Sequence, residues 1–219
     1  MLFVSLGNWQ WSRGVHRESV WREFARGADA EVAATGQSLA QLPRYAHVRI
    51  EGRYEAARQV LLDNQSRQGR PGYELLTPLR LADGSLLLVN RGWLPFSGYR
   101  DRLPDVSMPD SSASAVVLTG RLDRLPTAGL ASGRAPPPLE GAWPRVTTFP
   151  TTTELAAVYG EPLHDAVLLL DAAAGPGFLR DWQPPGVSPD RNFSYAVQWW
   201  AFAILALVLF AVLTLKRSR

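Results

Sequence analysis

Residues 196–215 read AVQWWAFAILALVLFAVLTL, a run without a charge in which Gln198 and Thr214 are the clearly polar members. At about 1.5 Å of rise per residue, a helix of this length spans a hydrocarbon core of roughly 30 Å. A buried core helix would usually be shorter and would rarely end a chain, so a transmembrane helix is expected here. Lys216, Arg217 and Arg219 follow directly. Basic residues flanking a span are retained on the cytoplasmic side, which places the C-terminus there and residue 190 outside.

The run opens unusually. Tyr195, Trp199 and Trp200 suit the edge of a bilayer, because each ring is apolar while its O–H or N–H still needs a polar partner. Gln198 is less easily explained, since an amide near a low-dielectric boundary has to be hydrogen-bonded. Asn192, Tyr195, Trp199 and Phe202 fall on one helical face at spacings of three and four, a stripe that serves lipid contact or helix packing and would also suit a flat apolar macrocycle.

At the other end, MLFVSLGNWQW (1–11) is apolar but too short to span alone, and it lacks a basic leader and a small-residue cleavage site. We read it as the last half of a membrane helix whose first half is missing; a buried strand or an interfacial anchor is the alternative. Its Gln10 raises the same question as Gln198, and a hydrogen bond between the two membrane helices is the first expected answer. From Ser12 to about Ala34, Trp21, Phe24, Ala25 and Ala28 recur at helical spacing among charged residues, which predicts an amphipathic helix.

After Pro43 the texture changes to short runs rich in Val, Leu and Tyr: VRIEGRY, QVLLDNQ, YELLTPLRL, SLLLVNRGWL, AVVLTGRLDRL and AVLLLDA. Turn signals at Arg70-Pro71-Gly72 and Asp83-Gly84 separate them, and the second is a strong hairpin mark. An antiparallel sheet or small barrel is predicted. Residues 126–145 have neither period and read as one irregular loop, Thr151 to Tyr159 as a short capped helix, and 174–190 as a Pro- and Gly-rich tether.

Composition removes several kinds of chemistry. The chain has no cysteine, so thiolate zinc sites and thiol nucleophiles are excluded. His16, His47 and His164 lie far apart without ligand spacing, and no nucleophile elbow or phosphate-binding loop occurs. The net charge of +3 comes from scattered arginines, which gives nucleic-acid binding no footprint.

Three stretches remain specific in residue type: LGNWQWSR (6–13), VNRGWLP (89–95) and YAVQWW (195–200). At these the chain resembles the Surfeit locus protein family of cytochrome c oxidase assembly factors. The matching positions are Leu6, Gly7, Trp9, Gln10 and Arg13; then Gly72, Tyr73, Thr77 and Pro78, with Val89 through Trp93 and Pro95; then Phe193, Tyr195 and Trp199.

The resemblance implies an α+β membrane protein of the bacterial inner membrane, with two transmembrane helices, the first incomplete, bracketing the β-rich domain. On that reading 1–11 ends the first transmembrane helix, 12–190 is a periplasmic β-rich domain led by the amphipathic helix, 196–215 is the second transmembrane helix, and 216–219 is a cytoplasmic tail. It implies a non-enzymatic role beside the catalytic subunit of cytochrome c oxidase, in haem a delivery or formation of the haem–copper centre, with haem a synthase as a further partner.

Tyr195, Trp199, Phe202, Asn192, Arg13 and Arg91 are the residues that haem a handling would use, the arginines through propionates. Trp9, Gln10, Asn90, Trp93, Gln198 and Trp200 would pack the helices against each other and the VNRGW strand end. The family's histidine at the mouth of the last helix is Asn192 here, and an amide is a poor iron ligand. A membrane-tethered module binding another protein or lipid and an unrecognised hydrolase are the competing readings.

Overall fold

The computed structural model describes residues 1–27, 30–100, 102–108, 114–129, 133–173 and 178–217. Ala28, positions 130–132 of the predicted loop, 174–177 of the tether and Arg219 lie outside the described residues. The chain divides into two compact units, one formed by Met1–Arg26 with the segment from Gln183 onward, the other by Gly27–Trp182.

The first unit is a pair of helices, α1 (Leu2–Arg26) and α4 (Pro189–Arg217). Helix α1 is one continuous element, so residues 1–11 and the predicted amphipathic helix are the same helix. It stops at Arg26 and not near Ala34: Gly27 follows, and Glu31–Ala33 are extended in a short strand, β1. The apolar spacing marked the helix, but the glycine marked its end. Contacts Phe3–Trp199 and Trp11–Phe193 show that α1 and α4 run antiparallel.

Helix α4 begins seven residues before the apolar run. Pro189 fits a first helical position, where its missing N–H costs nothing, and Ser188 Oγ accepts a bond from Asp190 N at 3.3 Å. Asp190 in the first turn and Lys216 and Arg217 in the last complement the helix dipole. Among the described residues α4 is the one helix long and apolar enough to cross a membrane. From Ile204 to Arg217 every residue is exposed, with Leu207 and Leu215 both at 69%. A helix apolar all round and exposed among the described residues is suited to lipid.

The second unit is a β domain. Strands β2 (His47–Tyr54), β6 (Val116–Arg124), β8 (Leu163–Leu170), β5 (Leu86–Pro95) and β4 (Arg70–Leu81) pair in that order, and β2 also pairs with β4, closing a five-stranded barrel. Strand β3 (Val60–Arg67) extends it from β4, with β7 (Arg145–Thr147) beyond, while β1 lies against β2. The sheet is mixed: β5 runs parallel to β8, β1 to β2 and β3 to β7, where the sequence suggested antiparallel pairing throughout. The two added three-residue strands are too short to carry a period, so only tertiary pairing reveals them.

Asp83-Gly84 does turn the β4–β5 hairpin, with Gly84 at φ +84. Arg70-Pro71-Gly72 instead begins β4; the preceding turn is Gln68-Gly69, both residues having positive φ, as a tight hairpin requires.

Val48, Ile50, Leu79, Leu87, Val89 and Leu168 fill the barrel, and Leu39 of the short helix α2 (Gly36–Leu39) belongs to the same cluster. Leu76, Leu86 and Leu88 face the other way, packing with Leu155 and Tyr159 of helix α3 (Thr152–Tyr159). Strand β5 is therefore buried on both faces, which explains the continuous run LLLV where a half-buried strand would alternate. At the start of α3, Thr151 Oγ1 accepts from Glu154 N at 3.2 Å while Glu154 Oε2 accepts from Thr151 N at 2.9 Å, the reciprocal cap its sequence predicts.

Candidate functional site

The helix pair brings the first and last of the three specific stretches together. Gly7 lies beneath the Trp200 indole and Gly14 beneath the Phe193 ring; a methyl group at Gly14 would come within 2.5 Å of Phe193 Cε1. These small residues, two helical turns apart on one face, let large rings of α4 seat against the backbone of α1. Asn192 Nδ2 donates to Gln10 Oε1 at 2.8 Å, and Trp200 Nε1 donates to Asn8 Oδ1 at 3.2 Å. Gln10 thus finds its partner on the opposite helix. The Asn192 amide nitrogen is engaged in helix pairing.

The aromatic stripe divides. Trp199 stacks on Phe3 with ring centroids 5.8 Å apart, and Phe202 lies 6.2 Å from Phe3 and 6.0 Å from Trp199. Tyr195 and Gln198 are exposed. No side-chain hydrogen bond joins Gln198 to another described residue, unlike Gln10, because it points away from the seam that Gln10 occupies. Trp9 is also largely exposed, with the Arg13 guanidinium 5.0 Å above its ring. Phe3, Asn8 and Gly14 escaped the sequence reading. Gly14 alone left a signal there, seven residues after Gly7.

In the β domain each residue of VNRGW has a separate task. Val89 belongs to the barrel core. Asn90, buried, donates from Nδ2 to Glu74 Oε2 at 2.8 Å and accepts from Gly92 N at 3.1 Å. Arg67 donates to the other oxygen of Glu74 at 3.0 Å, so this nearly buried carboxylate is held on both sides. Gly92 takes φ +124 and allows the 178–180 segment to approach, where a side chain would meet Leu179 O at 2.9 Å. Trp93 completes the junction: its backbone exchanges two hydrogen bonds with Leu179, and its Nε1 donates to Gln65 O at 2.9 Å. Asn90 and Trp93 are therefore anchors of their own domain.

Arg91 projects from the same face of β5 as Val89, at the end of the barrel. Its Nη1 donates to Gln59 Oε1 at 3.1 Å, and its guanidinium lies over the rings of Phe178 (5.4 Å) and Tyr54 (6.0 Å). Gln59 is itself fixed, donating to Val106 O at 2.8 Å and accepting from Thr77 Oγ1 at 2.9 Å.

His164 Nε2 meets Ser85 Oγ at 2.8 Å, but Ser85 donates its hydroxyl proton to Asp83 Oδ1 at 2.6 Å. A nucleophilic serine would have to give that proton to the histidine, so this order of partners does not support the hydrolase reading.

A barrel domain joined to a helix pair whose last member can span a membrane, with three motifs seated in these two units, defines a membrane-associated α+β protein. The chain belongs to the SURF1 family, a family associated with cytochrome c oxidase assembly: the family's sequence profile matches residues 1–204. It is also similar to a SURF1-like protein of Dictyostelium discoideum, 37% identical over 70 residues, a match covering 30% of this chain and 26% of that relative.

Proposed function

We propose that the protein is a membrane-anchored assembly factor for cytochrome c oxidase that assists haem a delivery to the catalytic subunit or formation of its haem–copper centre. The observation that carries this reading is the meeting of the two terminal motifs: Gln10 of the first bonds Asn192 beside the last, and the intervening side chains interlock on Gly7 and Gly14. In this reading α4 crosses the inner membrane with Lys216 and Arg217 on the cytoplasmic side. The first membrane segment is supplied by the start of α1, and the barrel is periplasmic. The catalytic subunit and haem a synthase are the partners.

With the Asn192 amide given to Gln10, axial ligation from this position has no support. The residues that would instead hold haem a are Trp199 and Phe202 through their rings and Arg13 through a propionate.

The test is a reduced-minus-oxidised spectrum of membranes from a deletion strain of the native host, with oxidase activity measured on the same sample. Loss of the haem a signal together with activity, both restored by the full chain, is the expected result. An unchanged spectrum in a strain without a second copy would overturn it and favour a tethered module with another partner.

A further inference from the structure

Arg13 and Arg191 sit one on each member of the helix pair, and both are exposed. Their depth follows from the packing. Trp11 meets Phe193 and the helices run antiparallel, so counting two residues either way from that contact brings Trp9 level with Tyr195 and Arg13 level with Arg191. Each arginine therefore stands one helical turn, about 6 Å, outward of an exposed aromatic ring on its own helix. The Arg13 guanidinium lies 5.0 Å above the Trp9 ring, drawn there by the negative face of the indole. Among the described residues no carboxylate pairs with either cation: Glu18 is held by Arg22 at 3.2 Å, and Asp190, beside Arg191, accepts from Ser188 Oγ at 3.2 Å. Arg17, one turn above Arg13, is by contrast taken up by Pro185 O at 3.2 Å.

The bilayer gives this level its meaning. Tryptophan and tyrosine rings settle where hydrocarbon meets headgroups. In α4 the apolar run leads away from Tyr195 toward Lys216, so Trp9 and Tyr195 mark the outer edge of the span. A guanidinium about 6 Å farther out reaches the depth of the lipid phosphates, its stem lying over the belt and its charge in the headgroup layer.

We propose that Arg13 and Arg191, above Trp9 and Tyr195, bind the headgroup phosphate of an anionic phospholipid in the outer leaflet. A lipid phosphate is favoured over a free one because its acyl chains lie against the exposed apolar surface of α4 directly below. An anionic headgroup is favoured over a zwitterionic one because two unpaired guanidinium groups repel the ammonium that a zwitterion carries. The site rests on the reading that α4 crosses the membrane and does not depend on the oxidase role. At Arg13 a lipid phosphate and a haem propionate are alternative occupants.

The experiment reconstitutes the full chain, purified without haem, into phosphatidylcholine vesicles carrying a trace of pyrene-labelled phosphatidylglycerol or pyrene-labelled phosphatidylcholine. Energy transfer from the tryptophans to the pyrene reports which lipid stands beside the helix pair. Transfer to labelled phosphatidylglycerol is expected to be the stronger and to fall as salt is added. Arg13→Gln and Arg191→Gln are each expected to weaken phosphatidylglycerol binding about fivefold, the scale of one basic side chain at an anionic headgroup. Both side chains are exposed, so neither change disturbs the fold, and Arg49→Gln on the exposed face of the β domain removes the same charge elsewhere and should change nothing. Equal transfer to the two labels in the native chain, an undiminished preference in the double variant, or an equal loss in Arg49→Gln would overturn the site alone. Failure of the native chain to float with vesicles of either composition would overturn the membrane reading and the site with it.

Discussion

Asn192 and Gln10 share a hydrogen bond of 2.8 Å across the seam between α4 and α1, although 182 residues separate them. The Asn192 amide donates and the Gln10 amide accepts, and their neighbours close over them: Phe193 on Gly14, Trp200 on Gly7. Asn192 is thereby a residue that locks two helices together.

Replacing one member of that pair strands the other. Asn192→Leu is expected to lower the stability of the helix pair by about 0.6–2 kcal/mol, and Gln10→Leu by a similar amount. The double variant should lose less than the sum. Unfolding of the four proteins in a fixed detergent, analysed as a double-mutant cycle, measures the coupling.

A side chain at Gly14 has no room while Phe193 is present. Gly14→Ala should destabilise the pair, and adding Phe193→Ala should recover part of the loss by removing the ring the methyl group would strike. Thermal midpoints of the single and double variants decide this. Additive losses would mean that the two residues do not meet.

Gly92→Ala should destabilise the β domain by about 1–3 kcal/mol, because alanine resists a positive φ and its methyl group would press on Leu179 O. Asn90→Ala should cost about 1–3 kcal/mol by a different route, since the Gly92 N–H and one oxygen of Glu74 lose a partner in a buried setting. Denaturant unfolding compares them. Either variant behaving as the native chain would argue against its assigned role.

Glu161 makes the β domain sensitive to acid. Hydrogen bonds from Arg80, then from Arg58, lower its carboxyl from the ordinary 4.5 to about 2. Its folded-state pKa lies below the unfolded one, so the folded form binds fewer protons in this window. The stabilisation is fully present above about pH 4.5 and is lost as pH falls toward about 2. Thermal midpoints between pH 7 and pH 3 should fall more steeply for the native chain than for Glu161→Gln. Parallel curves would show that the contact with Arg80 and Arg58 contributes nothing.

Much of the architecture was readable residue by residue. The six apolar runs after Pro43 each became a strand, Asp83-Gly84 turned its hairpin, and Thr151 with Glu154 capped α3, because these signals act over a few residues. Helix α1 stops at Gly27 although the periodic pattern runs on past it, and the Gln68-Gly69 turn is less conspicuous in the sequence than the proline that follows. In the candidate sites, Gln10 stands out for its polarity at an apolar boundary, as Gln198 does, Asn192 for its place on the aromatic stripe, and Arg91 for its motif. Gln59, Tyr54, Phe178 and Arg180, which surround Arg91, carried no mark of their own. They come from separate segments that meet only when the barrel closes.

The sequence by itself determined the spanning length of α4, the strands, the local caps and turns, and the family to which the chain belongs, since length, hydropathy, turn chemistry and motif order are properties of short segments. Tertiary structure alone decided the rest. It set the parallel pairing of β5 with β8, the closure of β2 on β4, the choice of Gln10 as the partner of Asn192, and the contacts of Arg91 with Gln59, Tyr54 and Phe178. Each depends on a register between distant segments, and that register is fixed by the joint burial of many side chains.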